Sequence, residues 1–354
     1  MQDPHYEVHQ FATTISHKGD CAVSDDSILN TAVIGCGGHA RHHFGMIADE
    51  PRLHLVAAAD IDATRLEQAK TQHRPDRTFA DYREMLDQCD LDLVYVVTMP
   101  GHLLPIVLDC MARHLHVSVE KSPGMTSAET EQMATAGRES RGKAIVSFNR
   151  RYFPEVLAVR RLVQERGGAV HCSGTYNKTL SLIGTPAMAG IAPDPVICDA
   201  IHHVDLIRWL AGPTPERAAR PVAVHSEVAD GERAGSHRHN AVIRFDTGAI
   251  GTFMSHYGVG FRIQRAEVHA EDFSAYLDLT RERACELYAA ERGGSSSALD
   301  EPLDLDAVGG PNFNETSHFA NCIFEDTEPW STLDDAVVTM HLCEAIRSGH
   351  KGPL

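Results

Sequence analysis

The chain has 354 residues, 43% of them hydrophobic, and a formal net charge of -17. That length suits one large core or, more naturally, two domains, and the acidity leaves no basic footprint for nucleic acid or an anionic membrane. No apolar run reaches bilayer length, and the charges between Asp3 and Asp26 break up any leader-like core, so no signal peptide is expected.

Residues 1–30 are polar and aperiodic and read as an arm or disordered tail. From Thr31 the texture changes. A β-run to Ile34 ends in glycine, and Ala40–Ala48 has helical spacing. Leu53–Ala59 is a second strand closed by Asp60, followed by helices over 63–72 and 81–88. Leu91–Thr98 is almost wholly apolar, as expected of a strand covered on both faces. Helices over 104–113 and 128–140 alternate with strands over 116–120 and 144–148. The alternation predicts a doubly wound α/β Rossmann sheet over 31–150. From residue 151 to 354 the pattern differs. A helix over 154–166 leads into strand-like runs at 170–176, 222–228, 241–245, 249–256, 266–270 and 274–279, interrupted by a helix over 197–210 and closed by one over 333–348. This predicts an α+β domain with an open, mostly antiparallel sheet. The loops 184–196, 229–240 and 291–302 read as mobile.

The nine cysteines are scattered without a C-x-x-C pair, which predicts free thiols in a reducing, cytoplasmic setting. Of the 22 histidines, the close pairs His42-His43, His114/His116 and His237/His239 lack Cys or carboxylate partners at ligand spacing, so no metal is expected.

Gly35-Cys36-Gly37-Gly38-His39-Ala40 lies between a strand and a helix, the context in which a glycine pattern carries meaning. Gly35 permits a tight turn, Gly37 lets backbone approach a pyrophosphate, and Ala40 lets helix and strand pack closely. The helix N-terminus then faces phosphate with free N–H groups. Asp60 follows 25 residues after Gly35, where a carboxylate can take ribose hydroxyls and disfavour a 2′-phosphate. NAD is therefore expected, with Arg65 keeping NADP open.

A second constellation follows a later strand. Glu120-Lys121 stands at a strand C-terminus, which in a parallel sheet lines the ligand crevice at the nicotinamide end. In Cys198-Asp199-Ala-Ile-His202-His203-Val-Asp205, residues three apart share a helix face, so Asp199, His202 and Asp205 are expected as one polar stripe. In Cys172–Lys178, strand alternation puts Tyr176 and Lys178 on one face and Asn177 on the other.

Together these segments resemble the Gfo/Idh/MocA oxidoreductases from about Thr31 to Gly349. The matching pieces, in family order, are AVIGCGGHA, AADID, TMPGH at 98–102, HVSVEKSPG, FNRRYFP at 148–154, DAIHHVDLIRWLAG and TLDDAVVTMHLCEAI. The resemblance implies a Rossmann domain followed by an open sheet whose face covers the nicotinamide, and substrates that are sugars, cyclitols or nucleotide-linked sugars. It makes Lys121 the catalytic lysine and His202 the catalytic histidine, with Asp199 as carboxylate. It puts Thr98, Pro100 and His102 at the cofactor beside Glu120 and Lys121, and Tyr176, Asn177 and Lys178 near substrate. It also implies a homo-oligomer, dimer or tetramer. Three departures stand out: Ser122 replaces the proline after the lysine, Cys198 occupies the usual aspartate position four before His202, and Leu104 replaces a common histidine. Two alternatives stay open at this level, a redox-neutral NAD-dependent glycosidase-like enzyme and a non-catalytic dinucleotide-binding sensor.

Overall fold

The computed structural model describes residues 28–354 except 182, 184, 193, 281–283, 291–295, 300–302 and 306–307. The expected arm up to residue 27 lies outside the described residues, as do parts of the loops expected over 184–196 and 291–302. Leu29 and Asn30, read with the arm, already belong to the first strand.

The first domain runs β1 (Leu29–Ile34), α1 (Ala40–Asp49), β2 (Leu53–Ala59), α2 (Ala63–His73), β3 (Arg77–Phe79), α3 (Tyr82–Gln88), β4 (Leu93–Val96), α4 (Pro100–Met111), β5 (His116–Val119), α5 (Ser127–Glu139) and β6 (Ala144–Val146). The strands pair in parallel in the order β3-β2-β1-β4-β5-β6. The order reverses between β1 and β4, the position where open α/β sheets bind ligands. Helix starts follow local chemistry. Asp62, Asp81 and Thr126 accept first-turn N–H groups of α2, α3 and α5, and Pro100 opens α4 with its fixed φ.

The second domain begins with a 3-10 turn at Asn149–Tyr152, then α6 (Pro154–Gln164), β7 (His171–Asn177), a π turn (Val196–Ala200) and α7 (Ile201–Leu210). Next come β8 (Pro221–Asp230), β9 (His237–Phe245), β10 (Ile250–His256), β11 (Ile263–Ala270), β12 (Phe273–Asp278), β13 (Ala284–Ala290) and β14 (Ser296–Ala298). The chain closes with α8 (Glu315–Phe324), α9 (Leu333–Arg347) and β15 (Lys351–Pro353). The sheet order is β14-β13-β12-β11-β7-β10-β9-β8-β15. Only β7 and β10 pair in parallel; the other pairs are antiparallel, as the sequence pattern implies. Burial alternates along β9 and β10, so one face packs on α7 and the other is open.

Helix α7 is buried on every side, and the His202, His203, Asp205 and Arg208 side chains are buried with it. Its charges are paired internally. Arg151 makes a bidentate bridge to Asp205 and a further one to Asp335 (2.5 Å), and Arg208 binds Asp335 (2.7 Å). These buried pairs tie α7 to the 149–152 turn and to α9.

Strands β3, β13, β14 and β15 and helix α8 have no counterpart in the sequence reading. Strands β3, β14 and β15 are three-residue edge strands, too short to give a periodic signal. Helix α8 returns from the C-terminal part to the first domain. There Phe319, Cys322 and Ile323 join Val33, Phe44 and Tyr95 of β1, α1 and β4 in one apolar cluster. The segment 229–240 is half strand, leaving 231–236 as the connection.

Candidate active site

Gly35 follows β1 with φ of +90°, and a Cβ there would lie 2.3 Å from the Val97 carbonyl oxygen. Only glycine fits between β1 and β4 at this point. Gly37 and Gly38 face open space, so their backbone is free to receive a ligand. His39 is exposed at the start of α1, while Ala40 is fully buried against the sheet. Asp60 is buried at the end of β2; its Oδ2 accepts from Cys36 N at 2.7 Å and its Oδ1 from Asp62 N at 2.8 Å. The carboxylate therefore holds the glycine turn in shape, and each oxygen keeps acceptor capacity for a ribose hydroxyl. These groups fit a dinucleotide: an open glycine backbone, a helix N-terminus and an acid beside it. Burial, then the Asp60 charge, pushes the Cys36 thiol up to about 12, so it stays protonated.

Lys121 follows β5, and its Nζ donates to the Cys198 carbonyl at 3.2 Å. The Lys121–Ser122 peptide is cis. That carbonyl lies inside the π turn, whose wider i→i+5 bonding takes up one extra residue before α7. The stripe expected over Asp199, His202 and Asp205 assumes a regular helix; the π turn takes Asp199 out of that register, while His202 and Asp205 both lie in the regular α7. Asp205 turns into the core onto Arg151. Asp199 accepts from Tyr176 Oη at 2.6 Å, Lys178 Nζ at 2.5 Å and Tyr257 Oη at 2.8 Å. Burial raises its pKa, but Lys178, Lys121 and these hydrogen bonds outweigh that and hold it ionised. His202 is buried, and its Nδ1 has no hydrogen-bond partner among the described residues. Burial and the charges of Arg150 and Lys121 push its pKa well down, so its ring is neutral. The structure thus brings Lys121, the π turn and His202 together, and gives Asp199 to the tyrosines and Lys178 instead of to His202.

Strand alternation holds in β7: Tyr176 and Lys178 reach Asp199, whereas Asn177 turns away and accepts from His256 N at 3.0 Å. Asn177 is thus separated from the other substrate-facing candidates. Glu120 points inward, its carboxylate on His43 Nε2 at 3.0 Å; His43 Nδ1 lies 3.7 Å from Glu315 of α8, which accepts from Ser147 Oγ at 2.9 and 3.0 Å. Burial lowers the His43 pKa, but the bond to Glu120 and both carboxylate charges raise it overall; burial raises that of Glu315. This network braces α1, β5 and α8 directly beneath Lys121. Thr98 is half-buried with an unpartnered Oγ1, Pro100 is buried and His102 is exposed at the start of α4. Ile191 meets that helix start, Gly101 N donating to its carbonyl at 3.3 Å.

Sequence reasoning passed over His43, Glu315, Tyr257, Gln264 and Arg150 as individual residues, although Arg150 stands inside the quoted FNRRYFP segment. Among the described residues no group of three His, Cys, Asp or Glu side chains could hold a metal, and no helix is long and apolar enough to cross a membrane.

Comparison with known proteins supports the same picture. Residues 29–148 match the Gfo/Idh/MocA model, described as an oxidoreductase family with an NAD-binding Rossmann fold. D-apiose dehydrogenase of Paraburkholderia graminis is 23% identical over 89% of this chain and 85% of its own length. The first domain is a Gfo/Idh/MocA domain. Inositol 2-dehydrogenase of Acidothermus cellulolyticus is another relative, 24% identical over 72% of this chain and 74% of its own. Among solved structures, levoglucosan dehydrogenase in complex with NADH and levoglucosan superposes with a TM-score of 0.79 at 18% identity, covering 93% of this chain and 99% of that one. The protein is an NAD(P)-binding oxidoreductase. Within it, Cys198 contributes a backbone carbonyl where the family's aspartate would offer a side chain. Burial, foremost, pushes its thiol up to about 11, which leaves it no nucleophilic role near neutrality.

Proposed function

We propose that the protein transfers a hydride between NAD and a hydroxyl-bearing carbon of a sugar, cyclitol or nucleotide-linked sugar. The observation that carries this reading is Lys121, tethered by one N–H to the Cys198 carbonyl beside the partnerless, neutral His202, at the strand ends next to an open glycine turn. When bound, the nicotinamide takes the carbinol hydride or returns it. With one N–H on the Cys198 carbonyl, Lys121 has its remaining positions for the substrate oxygen: as the amine it accepts the hydroxyl proton during oxidation, and as the ammonium it donates a proton to the carbonyl oxygen during reduction. His202 Nδ1 orients the same oxygen. Tyr176, Lys178 and Tyr257 fix the pocket wall through Asp199.

Asp60 beside the turn favours NAD over NADP, since its charge opposes a 2′-phosphate. Relatives named for apiose and inositol support a polyol substrate. The reading includes a cytoplasmic protein whose described cysteines are all free thiols. It also includes a homo-oligomer built on the open sheet face, where Val242, Ile250, Met254, Tyr276 and Tyr288 are exposed. The test is a screen of sugars, cyclitols and nucleotide sugars with NAD and NADP, read by nicotinamide absorbance. At least one should be turned over with NAD preferred, and Lys121→Ala should lower kcat by about a hundredfold or more while retaining NADH binding. Unchanged kcat in that variant would refute the assignment.

A further inference from the structure

We infer that Asp62 is a second determinant of cofactor choice. Its carboxylate fills the place beside the ribose where a 2′-phosphate has to go, so two acids, and not Asp60 alone, exclude NADP. The inference rests on the NAD-preferring reading above and names a further residue that enforces it. Asp60 follows β2, and Asp62 caps α2 two residues later. The two acids are joined through the backbone: Asp62 N donates to Asp60 Oδ1 at 2.8 Å, while Asp60 Oδ2 accepts from Cys36 N at 2.7 Å. The acid expected at the ribose is thus one hydrogen bond from the start of α2. Between them Ile61 is 93% exposed, the most exposed large hydrophobic side chain among the described residues. An apolar surface left bare at the ribose end of the glycine turn is one that a flat purine ring covers.

A phosphate on the 2′-oxygen needs donors at this point, namely free N–H groups at a helix N-terminus and an arginine. Helix α2 has both, and Asp62 has taken both. Its Oδ1 accepts from Thr64 N at 2.9 Å and from Arg65 N at 3.1 Å, and its Oδ2 lies 3.7 Å from Arg65 Nε. Asp62, Thr64 and Arg65 are all exposed, so the cap stands where an arriving cofactor reaches it. A 2′-phosphate would meet two carboxylates and find first-turn N–H groups already bound by a side chain of its own charge sign. The Arg65–Asp62 pair itself is exposed and weak. What excludes the phosphate is the Asp62 charge and its hold on the N–H groups, and with that carboxylate gone Arg65 is free to swing onto a phosphate. Arg65, which at the sequence level keeps NADP open, is therefore disarmed by the residue three positions before it. Asp60 cannot do this alone. It also holds Cys36 N, so replacing it disturbs the glycine turn on which either cofactor depends and leaves the Asp62 cap untouched. Selectivity then comes from what opposes the wrong cofactor as well as from what binds the right one.

The experiment titrates NADH and NADPH into the full chain by fluorescence, with 5′-AMP and 2′,5′-ADP as competitors that carry no nicotinamide. The parent should bind NADH more tightly than NADPH. Asp62→Ser keeps a capping oxygen, whose hydroxyl can also donate to a phosphate. It should tighten NADPH about tenfold or more while NADH stays within about threefold. Asp62→Asn keeps the size and the cap but removes the charge, and should give part of that gain. Adding Arg65→Gln to Asp62→Ser should return NADPH affinity to the parent level. Asp60→Ser alone should weaken NADH about tenfold and improve NADPH by less than about threefold. In each variant 2′,5′-ADP should follow NADPH, and 5′-AMP should follow NADH. NADPH affinity unchanged in both Asp62 variants, or gained in full by Asp60→Ser alone, would overturn the inference while leaving the NAD preference standing. A parent that binds NADPH as tightly as NADH would refute the preference itself, and the inference with it. No titration involves turnover, so hydride transfer is judged separately by the substrate screen.

Discussion

At the scale of single residues, the site is defined by which partner each polar group has. Lys121 holds a backbone carbonyl and so keeps its amine available. Replacing it with alanine should lower kcat by about a hundredfold to ten-thousandfold, the usual contribution of general acid–base catalysis, with NADH affinity within a few-fold of the parent by fluorescence titration. Asp199 makes a sharper test, because its three hydrogen bonds go to Tyr176, Lys178 and Tyr257. Asp199→Asn should therefore raise KM more than it lowers kcat. A collapse of kcat with KM unchanged would instead mean that Asp199 orients the catalytic histidine. The low pKa values of His202 and His203, the latter about 3 through burial and the Arg150 and Arg262 charges, bear on stability. Both rings stay neutral in the fold but take up protons in the unfolded chain below about pH 6.5. The native state should thus lose stability as pH falls through that value. His203→Phe should flatten that part of the pH–stability curve in chemical denaturation.

At the scale of elements, α7 matters most, because it carries His202 through the core. Its setting depends on Arg151, Arg208 and Asp335. Burial raises the Asp335 pKa, but the two guanidinium groups outweigh it and hold the carboxylate well below its usual range. A depressed carboxylate contributes stability above its unfolded value near 4, and that contribution is lost as pH falls further. Asp335→Asn should cost about 3 kcal/mol near neutrality, as expected when one partner of a buried pair is removed, with the difference from parent shrinking in acid. Denaturant titration at two pH values checks both parts. The alternating strands and helices of the first domain were legible because each carries a clear period, and Gly35, Ala40 and Asp60 because their spacing has one structural meaning. The π turn was not legible. Val196–Ala200 differs from a regular helix only in bonding pattern, which leaves no periodic trace over five residues. Reading that stretch as regular helix placed Asp199 on the face of His202, when it belongs to Tyr176, Lys178 and Tyr257; Asp205, in the regular helix, goes to Arg151 because α7 is buried on every side. Helix α8 was missed for a different reason: its partners, Phe44 and Tyr95, are more than two hundred residues away in the chain.

At the scale of the molecule, the two sheets divide the work. The parallel sheet presents the open glycine turn and Lys121 at its strand ends, and the larger sheet supplies Tyr176, Lys178, Tyr257 and Gln264 from its covered face. Its other face exposes Val242 and Met254 on adjacent strands. If that face joins two copies, Val242→Arg should shift the species seen by sedimentation toward the monomer. The central claim is that a hydride and a proton leave the same substrate carbon and oxygen, the proton through Lys121. The most direct measurement uses a substrate from the sugar screen carrying deuterium at the reacting carbinol, with the deuterium located by mass spectrometry after a single turnover with NAD. The parent enzyme should place the deuterium in the reduced nicotinamide, and Lys121→Ala should do so about a hundredfold more slowly or worse. Deuterium in solvent or retained in the product, with no labelled nicotinamide, would contradict it.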